Sequence, residues 1–492
     1  MWPSADRLVD TLGSALLLAP VFLWRHGARL AAGLLVPIGA VYLGYFLAVR
    51  SAPDEYFWFT ILGSHTSEAM QYAASYRVRD GLWLLAWLVA ASGAAWWIGH
   101  RPLHLHRALR AVLVLIAWVW LAWAVVSIAK QQTLVSALSN IDRVYPLGLL
   151  ESLARQQAAQ AQIFSVPGVA PPTASVRADL IVVVLGESAS ALRWSLLGYG
   201  GHPTNEDLTP VRSELQVLSV LSNGNNTAQA VPMLLSGSEL DRLPVQGLPT
   251  WLDWAHAAGF RVVTLSNQSR SGIGETFFHV AYRQRSDRYV NLPAGARDSG
   301  LTPLLRQALD EARPGQPLLV TLHTYGSHPR VGQRYEPQQA RWDDPYDNSI
   351  AASSQLLAQW IRLLHRHAKE RRAVLLYISD HGLNLPACGS NYTHGSAQSA
   401  YEVPFMLWSN AAFRADQPQW SSQATRNAWA APDGLPRYDN RVFAATMADL
   451  LGRPAPYPSL GSAQTPPPPA LDGTPFATLV HQDACEVRRA MR

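Results

Sequence analysis

The sequence predicts a two-part protein: an N-terminal bundle of transmembrane helices, then a mostly parallel α/β/α sandwich. Three observations carry this expectation. Long apolar segments crowd the first 130 residues. Beyond residue 178, strand-like apolar runs alternate with helical patterns, as parallel sheets require. Two of those runs end abruptly in residues of metal-ligand type, Gly186-Glu187-Ser188 and Asp380-His381-Gly382.

A length of 492 residues allows two or three domains. Charged residues make up 15%, well below the roughly 25% usual in soluble proteins. The formal charge is +5 and the pI near 9.2, yet no Lys/Arg run resembles a nucleic-acid patch. The basicity therefore reads as membrane-related, and nucleic acid is not an expected partner.

Leu30–Val49, Gly81–Gly99 and Ala111–Ala129 approach the ~20 residues that cross a hydrocarbon core. Thr11–Trp24 is shorter and holds Pro20, and reads as a fourth span. A signal peptide fits it less well, because only Arg7 precedes it as a positive charge and no small-residue cleavage site follows. Arg25 and Arg29, and then Arg101, Arg107 and Arg110, mark cytoplasmic turns. The expected organisation is a transmembrane domain at 1–129 with an external loop at 50–80, then an amphipathic helix and Pro-rich linker at 130–178. A domain at 179–492 follows, periplasmic in a Gram-negative cell. In the external loop Thr60, Ser64 and Glu68 recur at i, i+4 and i+8, on one helical face. Such a face suits a lipid headgroup or simply solvent.

The sandwich reads in order as a strand at Asp179–Leu185, a short apolar stretch at Leu215–Leu221, a helix at Trp251–Ala258 and a strand at Arg261–Leu265. A helix at Leu301–Ala312, a strand at Pro317–Leu322 and a long helix at Ile350–His367 come next. The Asp-His strand, a strand at Val403–Trp408 and a helix at Val442–Leu451 complete it.

A hard carboxylate beside an imidazole at a strand's C-terminal end suits a divalent metal such as zinc. Two such strands would bring Glu187, Asp380 and His381 to one carboxyl edge of the sheet. Each motif alone has an ordinary reading, a buried structural Asp-His pair or a common turn, and only their shared strand-end context joins them. Three loop segments add candidates: Asn223–Pro232 with Thr227, His323–Pro329 with His328, and Tyr392–Gly395 with His394.

These pieces, taken in order, resemble the membrane-anchored phosphoethanolamine transferases of the alkaline-phosphatase and sulfatase superfamily, which include lipid A modifying enzymes. Gly186-Glu187-Ser188 with Ser195-Leu196-Leu197-Gly198-Tyr199 is similar to one signature of that family, and Thr227-Ala228 with Val231-Pro232-Met233 to its nucleophile segment. Gly326-Ser327-His328, Tyr346-Asp347-Asn348-Ser349-Ile350, Asp380-His381-Gly382 and Thr393-His394-Gly395 match four more. The resemblance spans about residues 179–451 and implies the alkaline phosphatase/sulfatase type of α/β/α sandwich. It implies that Glu187, Thr227, Asp380 and His381 bind a catalytic zinc, with room in the chemistry for a second ion. Thr227 would be the nucleophile, and His328 and His394 would contact phosphate or a second metal.

It further implies substrate contacts at Thr60, Ser64 and Glu68, where the family has Asn, Thr and Glu, and at Ser269, Arg270 and Asn348. The implied donor is phosphatidylethanolamine and the acceptor an envelope glycolipid or glycan such as lipid A, lipopolysaccharide core or a periplasmic glucan. The implied setting is the inner membrane, with membrane lipids as partners and a monomeric enzyme. Phosphoglycerol transfer, phosphodiester hydrolysis on the same fold, and a non-catalytic lipid-binding role are the competing readings. The chain departs from the family in several places, among them four expected spans where members often have five. Asn and Met stand where cysteines often flank the nucleophile, Ser190 replaces an Arg, and Cys388 and Cys485 allow at most one disulfide, which a periplasmic location would favour.

Overall fold

The computed structural model describes residues 25–49, 78–100, 106–130, 168–238, 249–268, 277–293, 295–368, 370–385, 392, 394, 397–430, 435–455, 457–471 and 474–475. The chain divides into two compact units, residues 1–62 with 66–160, and residues 63–65 with 161–492. Thr11–Trp24, residues 50–77 of the expected external loop, the 131–167 linker and both cysteines lie outside the described residues.

The first unit contains α1 (Arg25–Val49), α2 (Val78–His100) and α3 (Arg107–Lys130). They fall on the three longer segments read above as spans. Among the described residues, however, no helix is long and apolar enough to cross a membrane. Gly33, Gly39, Gly44 and Pro37 interrupt the apolar run of α1, as Ser92 and Gly93 do that of α2. Many large apolar side chains are nonetheless exposed, among them Leu30, Leu34, Trp83, Trp96, Trp97, Leu115 and Trp118. The α1 and α2 helices pack where Gly39 leaves room for the Trp87 indole, since a Cβ there would lie 2.5 Å from the ring.

The second unit is built on a seven-stranded sheet. Its strands are β1 (Leu180–Gly186), β2 (Leu215–Leu221), β3 (Arg261–Ser266), β4 (Arg288–Asn291), β5 (Leu318–His323), β6 (Ala373–Ser379) and β7 (Glu402–Ser409). Their spatial order is β2-β7-β6-β1-β5-β3-β4. Of these strands β7 runs against its neighbours β6 and β2, and the remaining pairings are parallel. The central strand β1 is buried along its whole length, because helices cover both faces of the sheet. Alternation along it divides the core in two. Ile181, Val183 and Leu185 face one cluster, and Leu180, Val182 and Val184 the other.

The first cluster receives α4 (Thr227–Ser236), α5 (Trp251–Ala257), α6 (Phe277–Gln284) and α7 (Arg441–Leu450) through Val231, Leu234, Trp251, Tyr282, Phe443 and Met447. The second receives α8 (Leu301–Asp310) and the long α9 (Pro345–His367). In α9, Tyr346, Ile350, Leu357, Ile361 and Leu364 recur at helical spacing and make its buried stripe. The result is a three-layer α/β/α sandwich.

Several elements differ from the sequence reading, among them α6, which was unread, and α9, which starts at Pro345 rather than Ile350. The segment with Thr227 is not a loop to Pro232 but the start of α4, which begins at the N-cap Asn226 and carries Pro232 inside. The Asn226 side chain accepts from Gln229 N and supplies the start signal that the internal proline had masked. Strand β4 was unread because it is short and only half buried.

The loop after α7 depends on Gly452. Its φ is +70°, and a Cβ there would meet Ala174 O at 2.1 Å. Its carbonyl accepts from both Thr173 N and Ala174 N. Gly452→Ala should therefore destabilise the second unit by at least about 1–3 kcal/mol from the backbone conformation alone. Thermal unfolding followed by Trp fluorescence should show the midpoint lower by several degrees.

Candidate metal and nucleophile site

Every candidate ligand comes from the carboxyl edge of the sheet. Glu187 follows β1, and Asp380 and His381 follow β6, the neighbour of β1. Thr227 opens α4, which follows β2. Glu187, Asp380 and His381 are fully or almost fully buried, and one ligand atom from each lies within 4.8 Å of the others. His381 Nε2 is 3.2 Å from Glu187 Oε1 and 3.5 Å from Asp380 Oδ2. Thr227 Oγ1 donates to Glu187 Oε2 at 3.0 Å and lies 3.3 Å from His381 Nε2. The structure thus brings these four residues to one point.

The backbone around them is constrained. Ser188 adopts φ +58°, unusual for a residue with a side chain, and is held there from several sides. Its amide donates to Asp380 Oδ1, its hydroxyl to Glu187 Oε1, and its carbonyl accepts from Tyr346 Oη. Gly326, at φ +48°, lets the next loop close on Glu187, because a Cβ there would meet Glu187 O at 2.5 Å. Asp298 fixes that loop by accepting from Tyr325 N, Gly326 N and Asn267 Nδ2.

Electrostatics shows what the cluster lacks. Burial, and then the charge of Glu187, push Asp380 up to about 7. Burial disfavours the charged form of His381, but the two carboxylates outweigh it and raise the imidazole to about 9. Burial likewise opposes ionisation of Glu187, yet the His381 hydrogen bond and charge hold it well below the usual carboxylate range. Two buried carboxylates this close need a cation, and the imidazolium serves as one. Asp380 Oδ2 is buried without a hydrogen-bond partner. His381 Nδ1 lies 2.7 Å from Gly382 O, a carbonyl that can only accept, so Nδ1 keeps its proton and Nε2 is the nitrogen that would ligate a metal in place of its own proton. A carboxylate oxygen with an unfilled lone pair, a second carboxylate and an imidazole nitrogen are the donor set of a zinc ion. The residues present therefore fit the metal.

His394 joins this group. Its ring centroid is 4.8 Å from that of His381, and its Nδ1 lies 3.0 Å from Asn225 O. Burial, then the His381 and His328 charges, push it down to about 3, so it is neutral near pH 7. His328 is buried on the Gly326 loop, its ring 4.8 Å from that of Tyr325. Asn348 is placed differently. Its Oδ1 accepts from Arg341 N and Trp342 N, and its Nδ2 donates to Trp342 O. That amide organises the 341–342 loop. Thr60, Ser64, Glu68, Ser269 and Arg270 lie outside the described residues.

Sequence reasoning missed Gln268 and Asp298. Gln268 immediately precedes Ser269 and Arg270 in the stretch Ser266–Ser271, but nothing in a linear sequence aims its amide at Glu187. Asp298 sits in an unremarkable Arg-Asp-Ser-Gly turn.

A family model described as Sulfatase matches residues 179–452, the span that contains every residue of this cluster. The chain belongs to the sulfatase family. YhbX of Escherichia coli (strain K12) is 32% identical over 246 residues, which cover 47% of this chain and 43% of YhbX. The chain thus matches less than half the length of that relative. Phosphoethanolamine transferase EptC of the same strain is 23% identical over 465 residues, covering 84% of this chain and 80% of EptC. Among solved structures, the integral membrane protein lipooligosaccharide phosphoethanolamine transferase A from Neisseria meningitidis superposes with TM-score 0.60. It is 17% identical and covers 92% of this chain and 90% of its own. The C-terminal periplasmic domain of EptC from Escherichia coli in complex with Zn superposes with TM-score 0.53, at 20% identity, over 65% of this chain and 99% of that domain. At these identities the structures show the fold, which is of the alkaline phosphatase/sulfatase type.

Asp380→Asn keeps the side-chain shape and removes its charge. It is expected to lower zinc affinity by about tenfold or more, read by equilibrium dialysis and elemental analysis. The same substitution should raise the unfolding midpoint of the metal-free protein, because it relieves the repulsion between two buried carboxylates.

Proposed function

We propose that this protein transfers phosphoethanolamine from phosphatidylethanolamine to a hydroxyl of an envelope glycolipid or glycan, with Thr227 as the covalent carrier. The observation that carries this reading is the position of Thr227 Oγ1. It opens a helix and touches Glu187 and His381 at once. A lone surface threonine has no such neighbours.

The chain's residues divide the work. Asn226 caps α4, so Thr227 stands at a helix N-terminus, where backbone N–H groups and the helix dipole favour a phosphate. Thr227 Oγ1 attacks phosphorus, an Oγ1–P bond forms, and the bond from phosphorus to the diacylglycerol oxygen breaks. The leaving oxygen takes up a proton as diacylglycerol departs. An acceptor hydroxyl then attacks the same phosphorus and Thr227 is released, so two in-line displacements replace one. Zinc held by Glu187, Asp380, His381 and Thr227 would lower the proton affinity of the hydroxyl and offset charge on the phosphoryl oxygens. His394, neutral and beside His381, and His328 on the adjoining loop are assigned to the phosphate oxygens or the leaving-group proton.

The donor is a lipid, and the first unit supports a membrane setting. The exposed Leu and Trp side chains of α1, α2 and α3 have no place in water. Under this reading Arg25, Arg29, Arg101, Arg107 and Arg110 mark the cytoplasmic side, which puts residues 50–80 and the second unit outside the cytoplasm, in the inner membrane of a Gram-negative cell. The relatives named as phosphoethanolamine transferases favour that donor group over phosphoglycerol.

Incubation of the purified protein with phosphatidylethanolamine, followed by intact-protein mass spectrometry, should reveal a phosphoethanolamine adduct. Thr227→Ala should show neither adduct nor diacylglycerol release. Diacylglycerol without an adduct, insensitive to Thr227→Ala, would replace this reading with hydrolysis at another nucleophile.

A further inference from the structure

We infer that Gln268 is a positioning residue for the metal-binding carboxylate, bridging three strand ends to hold Glu187 in its ligating orientation. This rests on the reading of Glu187 as a zinc ligand.

Strands β1, β5 and β3 are consecutive neighbours in the sheet. Their C-terminal ends deliver Glu187, Thr324 and Gln268. Neighbouring strands lie ~4.8 Å apart, so β1 and β3 end roughly 10 Å from each other. The Glu187 and Gln268 side chains close that gap from opposite sides. Gln268 Nε2 donates to Glu187 Oε2 at 3.1 Å and to Thr324 O at 2.7 Å, above the intervening strand. A carboxylate and a carbonyl both only accept, so the nitrogen of the amide must be the atom that faces them.

Gln268 is itself fixed. It is buried, its own amide N–H donates to Ser266 Oγ, and its carbonyl accepts from Asn291 Nδ2. The carboxylate is consequently gripped at both oxygens. Ser188 Oγ donates to Oε1 and Gln268 Nε2 to Oε2. Each oxygen still turns toward the cluster, Oε1 to His381 Nε2 and Oε2 to Thr227 Oγ1. Without Gln268, Oε2 keeps only the bond from Thr227 Oγ1, itself a candidate ligand, as its hydrogen-bond donor. Outer partners of this kind typically change metal affinity by about 10–100-fold.

The test uses the full-length protein in detergent, with zinc affinity measured by competition against a chromogenic chelator. Two variants separate orientation from packing. Gln268→Met fills similar volume without a donor, and Gln268→Asn keeps the amide but is one methylene too short to span the gap. Both should bind zinc about 10–100-fold more weakly than the parent protein. Both metal-free variants should stay folded, with the unfolding midpoint lowered by no more than several degrees, since each weakens only the hydrogen bonds of one buried amide. A Met variant that binds zinc within about twofold of the parent, well inside the range expected for an outer partner, would overturn the inference and leave the metal site standing. Failure of the parent protein to bind zinc would instead remove the metal reading on which the inference rests.

Discussion

The second unit is organised around one electrostatic problem, two carboxylates buried side by side at the ends of adjacent strands. Glu187 follows β1 and Asp380 follows β6, and both are inaccessible to water. In a low-dielectric interior such a pair is unfavourable unless positive charge and hydrogen-bond donors surround it. The surroundings supply donors in quantity. Ser188 N and His381 N donate to Asp380, and Ser188 Oγ, Gln268 and Thr227 donate to Glu187. The remaining imbalance is the site's capacity for a cation.

Close approach of the loops follows from that convergence. Strand ends cannot bring their side chains to one point unless the turns after them fold back sharply. Ser188 does so at a left-handed φ, clamped by Tyr346, whose hydroxyl accepts from Ser190 N and donates to Ser188 O. Gly382 does so by lying where a Cβ would be 2.0 Å from Ser399 O. The N-terminus of α9 therefore supports the metal cluster although none of its side chains enters it. Asp347 extends the support by accepting from Arg193, Tyr199 and, at 2.6 Å, meeting His202 Nδ1. This explains why two motifs that lie about 150 positions apart in the sequence serve one turn.

The proposed group transfer suits this site, where Thr227 Oγ1 lies beside Glu187 and His381. A nucleophile held on a helix gives the phosphoryl group a defined resting place between two displacements.

Much of this was legible in the sequence for a physical reason. A buried parallel strand is a run of apolar residues, and where the run stops at Glu or Asp-His the polar residue must lie at a sheet edge. The strand ends at Glu187 and Asp380 and the helices at α5, α8 and α9 could be named from pattern, whereas Thr227, His328 and His394 stood out through the resemblance to a known family. What the linear chain could not contain was adjacency across the sheet. It did not show that β1 lies between β5 and β6, so it could not reveal that Gln268 reaches Glu187 over Thr324. Nor could it reveal that Asn348 turns to the 341–342 loop, because an amide reads identically whether it faces a substrate or a backbone carbonyl. Periodicity reports which face of an element is buried, and it determined the layers of this protein. Only the tertiary structure decided which polar ends meet, because hydrogen-bond partners distant in sequence are chosen by strand order and register.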